Sequence, residues 1–391
     1  MNEALARCDD APSLETGFAA LARFRLRAPT RVLDAEGCLA RLPPGPAATL
    51  GARVDGFFAR PIDGPALLVG ALPFDPHRDD ALFQPARLGA AVTATAPLPV
   101  LAGDAVPEPD AQAYADAVAH CVARLQAAGD DARALRKLVL ARSLRVDAAA
   151  AIDPFALAVR LGVDPSVSTF VAPLPVASGD APAWLVGATP ELLVSRRGAA
   201  VASHPLAGSA RRLRDAGADA RAAEALQASR KDHDEHRLVV EAILDGLAPL
   251  CSRLQAPRTP SLHATATMWH LGTRIEGTLK DPAVSAATLA GLLHPTPAVC
   301  GTPRDAALAA IRALEPVDRG FYAGAVGWAD AAGDGDWYVS IRCAHVQGPA
   351  MRLFAGAGIV AGSQPALEVD ETAAKFRALL DALGIDDVRA V

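Results

Sequence analysis

Lys137 is the first residue in this chain whose type and setting point to chemistry. Only four of the 38 lysine and arginine residues are lysines, and this one lies inside the apolar run Leu135-Arg-Lys-Leu-Val-Leu-Ala-Arg142. Arginine supplies surface charge equally well but keeps its proton in proteins, whereas a buried ammonium can lose its proton and act as a base. Lys231 falls in Ser229-Arg-Lys-Asp-His-Asp-Glu-His236 and Lys375 closes Glu368-Val-Asp-Glu-Thr-Ala-Ala-Lys375, while Lys280 has an ordinary turn-like context. A coding bias toward alanine and arginine would also leave few lysines. It would not place three of the four in settings that suit chemistry, one in an apolar run and two among acids and histidines, and the pattern reads as an enzyme.

His233-Asp-Glu-His236 invites a zinc reading, but the metalloprotease patterns H-E-x-x-H and H-x-x-E-H separate their histidines by three residues and this segment by two. A hard cation suits the residues better. Glu235 and the acidic group Glu368, Asp370 and Glu371 offer oxygen ligands, and Mg²⁺ takes one or two carboxylates, waters and an anionic substrate. A solvated charged helix face with i,i+4 pairs accounts for the segment taken alone. Arg342, in Val339-Ser-Ile-Arg-Cys-Ala-His345, places a charge in an apolar strand. That is costly without an anion, so a bidentate carboxylate clamp, an internal salt bridge or an edge position would each explain it. Gly356-Ala-Gly-Ile-Val-Ala361 imitates a dinucleotide fingerprint but leaves about thirty residues for the crossover unit that should follow. Its glycines allow either close approach of backbone N–H groups to a carboxylate or a tight turn or bulge. Neither the G-x-x-x-x-G-K-[ST] phosphate loop nor the G-x-S-x-G nucleophile elbow occurs.

These groups need elements to hold them. Residues 1 to about 110 alternate proline and glycine with short apolar segments such as Ala66-Leu-Leu-Val-Gly70, which predicts strands and irregular loops. Tyr114, Val118, Cys121, Val122 and Leu125 have helical period over 110–129, and Gly129 with two aspartates closes that helix before Lys137 enters a strand. Trp184–Gly187 and Leu192–Ser195 read as strands separated by Ala188-Thr-Pro-Glu191, which puts Glu191 at a break. Leu226, Val239, Val240, Ile243 and Leu247 predict one long helix over Ala222–Leu247 carrying the acid and histidine cluster. Strands are expected at Gly324–Trp328, Trp337–Val346 and Met351–Phe354, and a last helix from about Ala366.

At 391 residues, 51% of them hydrophobic, the chain can bury a large core; a net charge of −6 without basic–aromatic clusters argues against nucleic acid. Cys8, Cys38, Cys121, Cys251, Cys300 and Cys343 are scattered without a C-x-x-C pair and read as reduced thiols. Glu3, Asp9 and Asp10 interrupt the amino terminus, and no apolar run reaches the roughly 18 residues of a membrane span. The expectation is a soluble, cytoplasmic protein with no membrane partner.

Taken together, Lys137–Arg142, Gly187-Ala-Thr-Pro-Glu-Leu-Leu193, Pro205-Leu-Ala-Gly-Ser209, Lys231–His236, Leu293-His-Pro-Thr-Pro-Ala-Val-Cys-Gly301, Ser340–Ala344 and Phe354-Ala-Gly-Ala-Gly-Ile-Val360 strongly resemble the chorismate-utilising enzymes, and within them the isochorismate synthases. The resemblance runs from about Tyr114 to the carboxyl end. It implies an α+β fold: one large domain, 1–391, of two mostly antiparallel β-sheets flanked by helices. Residues 1–110 would be a variable part of that domain and 111–391 the motif-bearing catalytic part. It implies chorismate as substrate, Mg²⁺ as cofactor, and room for transient contact with a downstream enzyme that uses isochorismate.

By motif, the resemblance makes Lys137 the general base that deprotonates the water attacking C2 and Glu191 the general acid that protonates the departing C4 hydroxyl. Desolvation would push the lysine toward neutral and the glutamate toward protonated. Glu235 and Glu371 match the metal ligands, with Glu368 acting through metal-bound water. Substrate contacts fall on Ala207, Gly208, Ser209, His270, Thr296, Ala298, Arg342, Gly356, Gly358 and Lys375, with Arg342 clamping the enolpyruvyl carboxylate. Aminodeoxychorismate synthases carry a nucleophilic lysine where this chain has Ala207, and anthranilate synthases usually lack the Pro297-Ala298 pair. Salicylate synthases, which also expel pyruvate, menaquinone-pathway isochorismate synthases and a non-catalytic chorismate-binding homologue are the alternatives to a siderophore-pathway (2,3-dihydroxybenzoate) enzyme.

Overall fold

Long buried strands dominate the structure, a computed structural model that describes residues 22–29, 31–89, 97–127 and 134–385. Cys8, the amino-terminal acids and the helix stop at Gly129–Asp131 lie outside these residues. Among the described residues the strands form a ten-stranded, a nine-stranded and a three-stranded sheet, and the central pairings are antiparallel. The small sheet is an addition to the two expected. Lys137–Asp147 lies inside the ten-stranded sheet with Ala350–Ile359 along one edge. Its first eight residues are all buried, which explains why it reads as a continuous apolar run and not an alternating one.

The amino-terminal residues supply strands to both large sheets: Arg23–Ala28 pairs with Ser168–Leu174, and Leu67–Leu72 with Ala325–Asp330. The larger apolar cluster joins the two sheets, drawing Phe24 and Phe170 from one and Val194 and Trp337 from the other. Val171, Val186 and Leu353 face the opposite way, against Phe155 of the helix Pro154–Leu161 and Phe376 and Leu380 of the helix Pro365–Leu383. The expected helix near 110–129 is Ala111–Ala127, with Tyr114, Val118, Cys121 and Leu125 buried. The five described cysteines are buried and form no disulfide with one another, and no described helix is long and apolar enough to cross a membrane.

Two departures from expectation shape the site. The strand expected over Trp337–Val346 is two strands, Gly335–Val339 in the nine-stranded sheet and Cys343–Gln347 in the ten-stranded sheet. The chain changes sheets at Ser340–Arg342, and Arg342 turns it with φ 50°, a left-handed conformation that costs a non-glycine residue on the order of 1 kcal/mol. The break at Pro190–Glu191 is the matching crossing, from Ala183–Thr189 in the ten-stranded sheet to Leu192–Arg197 in the nine-stranded one. The crossings are hydrogen-bonded together, Val339 N to Glu191 O at 3.1 Å and Ala188 N to Arg342 O at 3.1 Å.

The long helix expected over Ala222–Leu247 is likewise two helices, Ala216–Ala228 and Arg230–Leu247. Ser229 leaves helical geometry at ψ 110° and its hydroxyl caps the second helix by accepting from Asp232 N. The turn considered at Gly356-Ala-Gly is absent. Both glycines lie within the continuous strand Ala350–Ile359, opposite Ala141 and Val139.

Candidate active site

Lys137 opens the central strand and is fully buried, with Nζ 3.1 Å from Glu235 Oε1. Glu235 comes from the second turn of the Arg230–Leu247 helix, and Gly358 lets it approach: a Cβ there would collide with the Glu235 carboxylate. Two more lysines repeat the arrangement. Lys231 Nζ donates to Glu368 Oε1 at 2.9 Å, and Lys375 Nζ donates to Glu371 Oε1 at 2.5 Å and to Gly356 O at 2.8 Å. Ser209 Oγ adds a 2.9 Å bond to Glu371 Oε1. Three of the chain's four lysines are therefore spent on three glutamates, Glu235 and Glu368 buried and Glu371 half-buried. Buried ion pairs of this kind are weak sources of stability because desolvation offsets their attraction, so stability alone does not explain them.

Glu368 and Glu371 differ in charge. Burial and the neighbouring Glu371 push the Glu368 carboxyl up to about 7 against the pull of Lys231. Burial also raises Glu371, but Lys375, Lys231 and the Ser209 hydroxyl outweigh it and hold the group below the usual glutamate value. Burial opposes charge on Lys231, yet Glu368, Glu235 and Glu371 together raise it above an ordinary lysine. Glu368 Oε2 is buried without a hydrogen-bond partner. Among the described residues no three His, Cys, Asp or Glu groups converge as a ready-made metal cage. The histidines of the motif diverge: His233 Nε2 pairs with Gln227 O at 2.8 Å and buried His236 Nε2 with Thr273 Oγ1 at 2.7 Å, which removes the zinc reading.

At the sheet crossings, burial pushes the Glu191 carboxyl up to about 8, although Lys137, a Leu206 backbone hydrogen bond and Lys375 all favour its ionised form. That shift favours the protonated acid at neutral pH. Arg342 is also buried, and its Nη2 lies 3.1 Å from His270 Nε2. Burial and the Arg342 charge hold His270 well below the usual histidine range, so the guanidinium meets a neutral imidazole in place of a carboxylate. Burial lowers Arg342 itself to about 10, leaving it cationic. This arginine was expected inside a strand; it stands between two strands and lines the cavity.

One narrow cavity gathers most of the predicted set: Glu191, Ala207, Gly208, Ser209, Glu235, His270, Ala298, Arg342, Gly356, Gly358 and Lys375 line it. Gly208 adopts φ 78°, and a side chain there would press on Asp232. Thr296 does not line the cavity; it is buried beneath the turn, accepting from Ala298 N at 3.3 Å. Glu368, Glu371 and Lys231 line an outer cleft of about 930 Å³, which shares Ser209 with the inner cavity; Lys137 lines neither. Sequence reasoning assigned no role to Lys231, Val139, Val299 or the stacked pair Tyr322 and Phe354, whose ring centroids are 4.8 Å apart. Lys231 was signalled by its motif. Tyr322 had no local signal, because the fold alone carries it into the cavity wall.

Residues 90–384 match the family described as chorismate binding enzyme. The isochorismate synthase DhbC of Bacillus subtilis strain 168 is 42% identical over 384 residues, 93% of this chain and 94% of that protein. The vibriobactin-specific isochorismate synthase of Vibrio cholerae is 41% identical over 325 residues, 82% of this chain and 80% of that one. A crystal structure of DhbC from Bacillus anthracis, a candidate 2,3-dihydroxybenzoate-specific isochorismate synthase, superposes with a TM-score of 0.87 at 39% identity, covering 97% of this chain and 99% of its own. With this match across both sheets and every element that carries a candidate residue, the chain belongs to the chorismate-binding enzyme family.

Proposed function

We propose that the chain is an isochorismate synthase that converts chorismate to isochorismate, adding water at C2 and releasing the C4 hydroxyl. Relatives of that activity over more than nine-tenths of the chain support the reading, and the protonated Glu191 carries it. A carboxyl poised near 8 inside a cavity with Arg342 and Lys375 suits a general acid for a leaving hydroxyl. Lys137, as the neutral amine, takes a proton from water as its oxygen bonds to C2; the ring double bonds shift, and the C4–O bond breaks as Glu191 delivers its proton. One water enters and one leaves, so the reaction is an isomerisation. Arg342 holds a substrate carboxylate by charge-assisted hydrogen bonds, the Ala207–Ser209 segment, His270, Ala298, Gly356 and Gly358 shape the cavity, and Lys375 stands by the second carboxylate.

Mg²⁺ fits the donor set: Glu235 and Glu371 would hold it directly and Glu368, with its orphaned Oε2, through water. A bound Mg²⁺ would anchor the ring carboxylate and draw electron density from the ring. Drawn to the ion, Glu235 and Glu371 would release Lys137 to act as the base and Lys375 to meet a substrate carboxylate.

Ala207 in place of a nucleophilic lysine argues against a covalent amine intermediate. The 2,3-dihydroxybenzoate- and vibriobactin-specific names of two relatives favour a siderophore-precursor role over menaquinone or salicylate formation. We place the enzyme in the cytoplasm and treat the chain as one catalytic domain. Incubating purified protein with chorismate and Mg²⁺, with and without chelator, tests the reading: chelator-sensitive formation of isochorismate without pyruvate supports it. Salicylate with equimolar pyruvate would make the protein a salicylate synthase, and Mg²⁺-dependent binding without turnover a non-catalytic homologue.

A further inference from the structure

The edge of the Lys137–Asp147 strand that faces away from Ala350–Ile359 is covered in two short pieces. Gly301–Thr302 pairs with Leu138 and Lys137, and Val106–Glu108 pairs with Arg145, Leu144 and Ser143. Between them, Val139 O and Ala141 N have no strand to bond to. A buried ion pair fills the gap. Ala141 N donates to Glu315 Oε1 at 2.7 Å, and Arg319 Nη2 donates to Val139 O at 2.8 Å. The two side chains are joined through Arg319 Nε to Glu315 Oε2 at 2.8 Å and Arg319 Nη2 to Glu315 Oε1 at 2.5 Å. Arg319 Nη1 reaches on to Val299 O at 2.8 Å, and Tyr322 N donates back to Arg319 O at 2.9 Å. Val139, Val299 and Tyr322 all line the inner cavity.

We infer that Arg319 and Glu315 are positioning residues: a side-chain ion pair stands in for a missing strand segment and fixes the Lys137 strand against the Thr296–Val299 turn and Tyr322. Neither residue lines the cavity, so neither touches substrate. The guanidinium suits the task because its fixed fork meets a carboxylate and two carbonyls in one plane, which an ammonium cannot do. Leaving one member of a buried pair alone is strongly destabilising, so the informative changes are those that keep the charge, as Arg319→Lys does, or a hydrogen-bonding oxygen, as Glu315→Gln does.

The inference rests on the isochorismate synthase reading, and wild-type turnover measured in parallel separates the two: no wild-type turnover overturns the function, not the bridge. Arg319→Lys keeps the charge opposite Glu315 but cannot hold both carbonyls. Its kcat should fall about 100-fold, the loss expected from a displacement near 1 Å, with chorismate Kd changed less than about threefold. Amide exchange over 138–142 should quicken while Ala350–Ile359 stays protected. Glu315→Gln retains an oxygen for Ala141 N and should recover kcat to within about tenfold of wild type, while Glu315→Ala should not. Wild-type kcat in Arg319→Lys overturns the inference. So does a loss in which Kd, kcat and protection throughout the sheet fall together. If Arg319→Lys does not fold, equal activities of Glu315→Gln and Glu315→Ala overturn it in its place.

Discussion

Lys137 Nζ stands 3.1 Å from Glu235 Oε1, both side chains buried, so the candidate base and a candidate metal ligand neutralise one another in the protein alone. Removing either leaves the other as a lone buried charge. Glu235→Ala should therefore lower stability by about 3–5 kcal/mol and weaken Mg²⁺ binding. Calorimetric titration identical to wild type would move the metal elsewhere. Lys137→Ala should abolish turnover with chorismate binding largely kept; wild-type turnover would remove the proposed base.

Glu191 supplies a pH dependence with a definite sign. Its folded pKa, about 8, lies above the ordinary glutamate value of 4.5, so its contribution to stability is complete below 4.5 and is lost as pH rises through 8. The acid form needed for catalysis is lost in the same direction. kcat should fall above pH 8, and Glu191→Gln should cost at least about 100-fold in kcat while flattening stability between pH 4.5 and 8. A kcat still rising at pH 9 would contradict the assignment.

Much of this site was legible in the sequence because it rests on local signals. The Pro190 break announced Glu191, the apolar run announced the strand of Lys137, and the motif spacing placed Glu235, Glu368 and Glu371 on helices that now meet. What was not legible depends on which sheet a strand joins. Trp337–Val346 keeps apolar residues on both sides of Ser340–Arg342, so nothing local marks the change of sheet there that brings Arg342 to the cavity. Ser229 capped a helix where helical period ran on undisturbed, and the Glu315–Arg319 bridge joins residues some 180 positions from the strand it supports.

Gly358 makes a test of the packing between the Lys137 sheet and the Glu235 helix. Gly358→Ala places a methyl against the Glu235 carboxylate and should weaken Mg²⁺ affinity at least about tenfold, with chorismate affinity falling only as far as it depends on the metal. Unchanged affinity for Mn²⁺, followed by paramagnetic resonance, would show that Glu235 is not a ligand.

Arg342 meets a neutral imidazole and so is available to a carboxylate. Arg342→Lys loses the planar fork and should raise KM at least about tenfold with a smaller change in kcat. An unaltered KM would take the substrate clamp away from this residue.

Ala298 lies in the cavity wall at the turn held by Thr296. Its small side chain is the proposed gate against pyruvate expulsion, and Ala298→Thr should release detectable salicylate. Isochorismate as the sole product of that variant would count against the gate.

The central claim is that a solvent water attacks C2 and the C4 hydroxyl departs. Running the reaction with Mg²⁺ and chorismate in ¹⁸O-enriched water and separating the products by chromatography tests it directly, because chorismate and isochorismate have the same mass until one takes up label. The account predicts isochorismate carrying one ¹⁸O at C2, with chorismate labelled at C4 as the reaction reverses. Isochorismate formed without label would mean that the hydroxyl migrates within the substrate, and would contradict the roles given to Lys137 and Glu191.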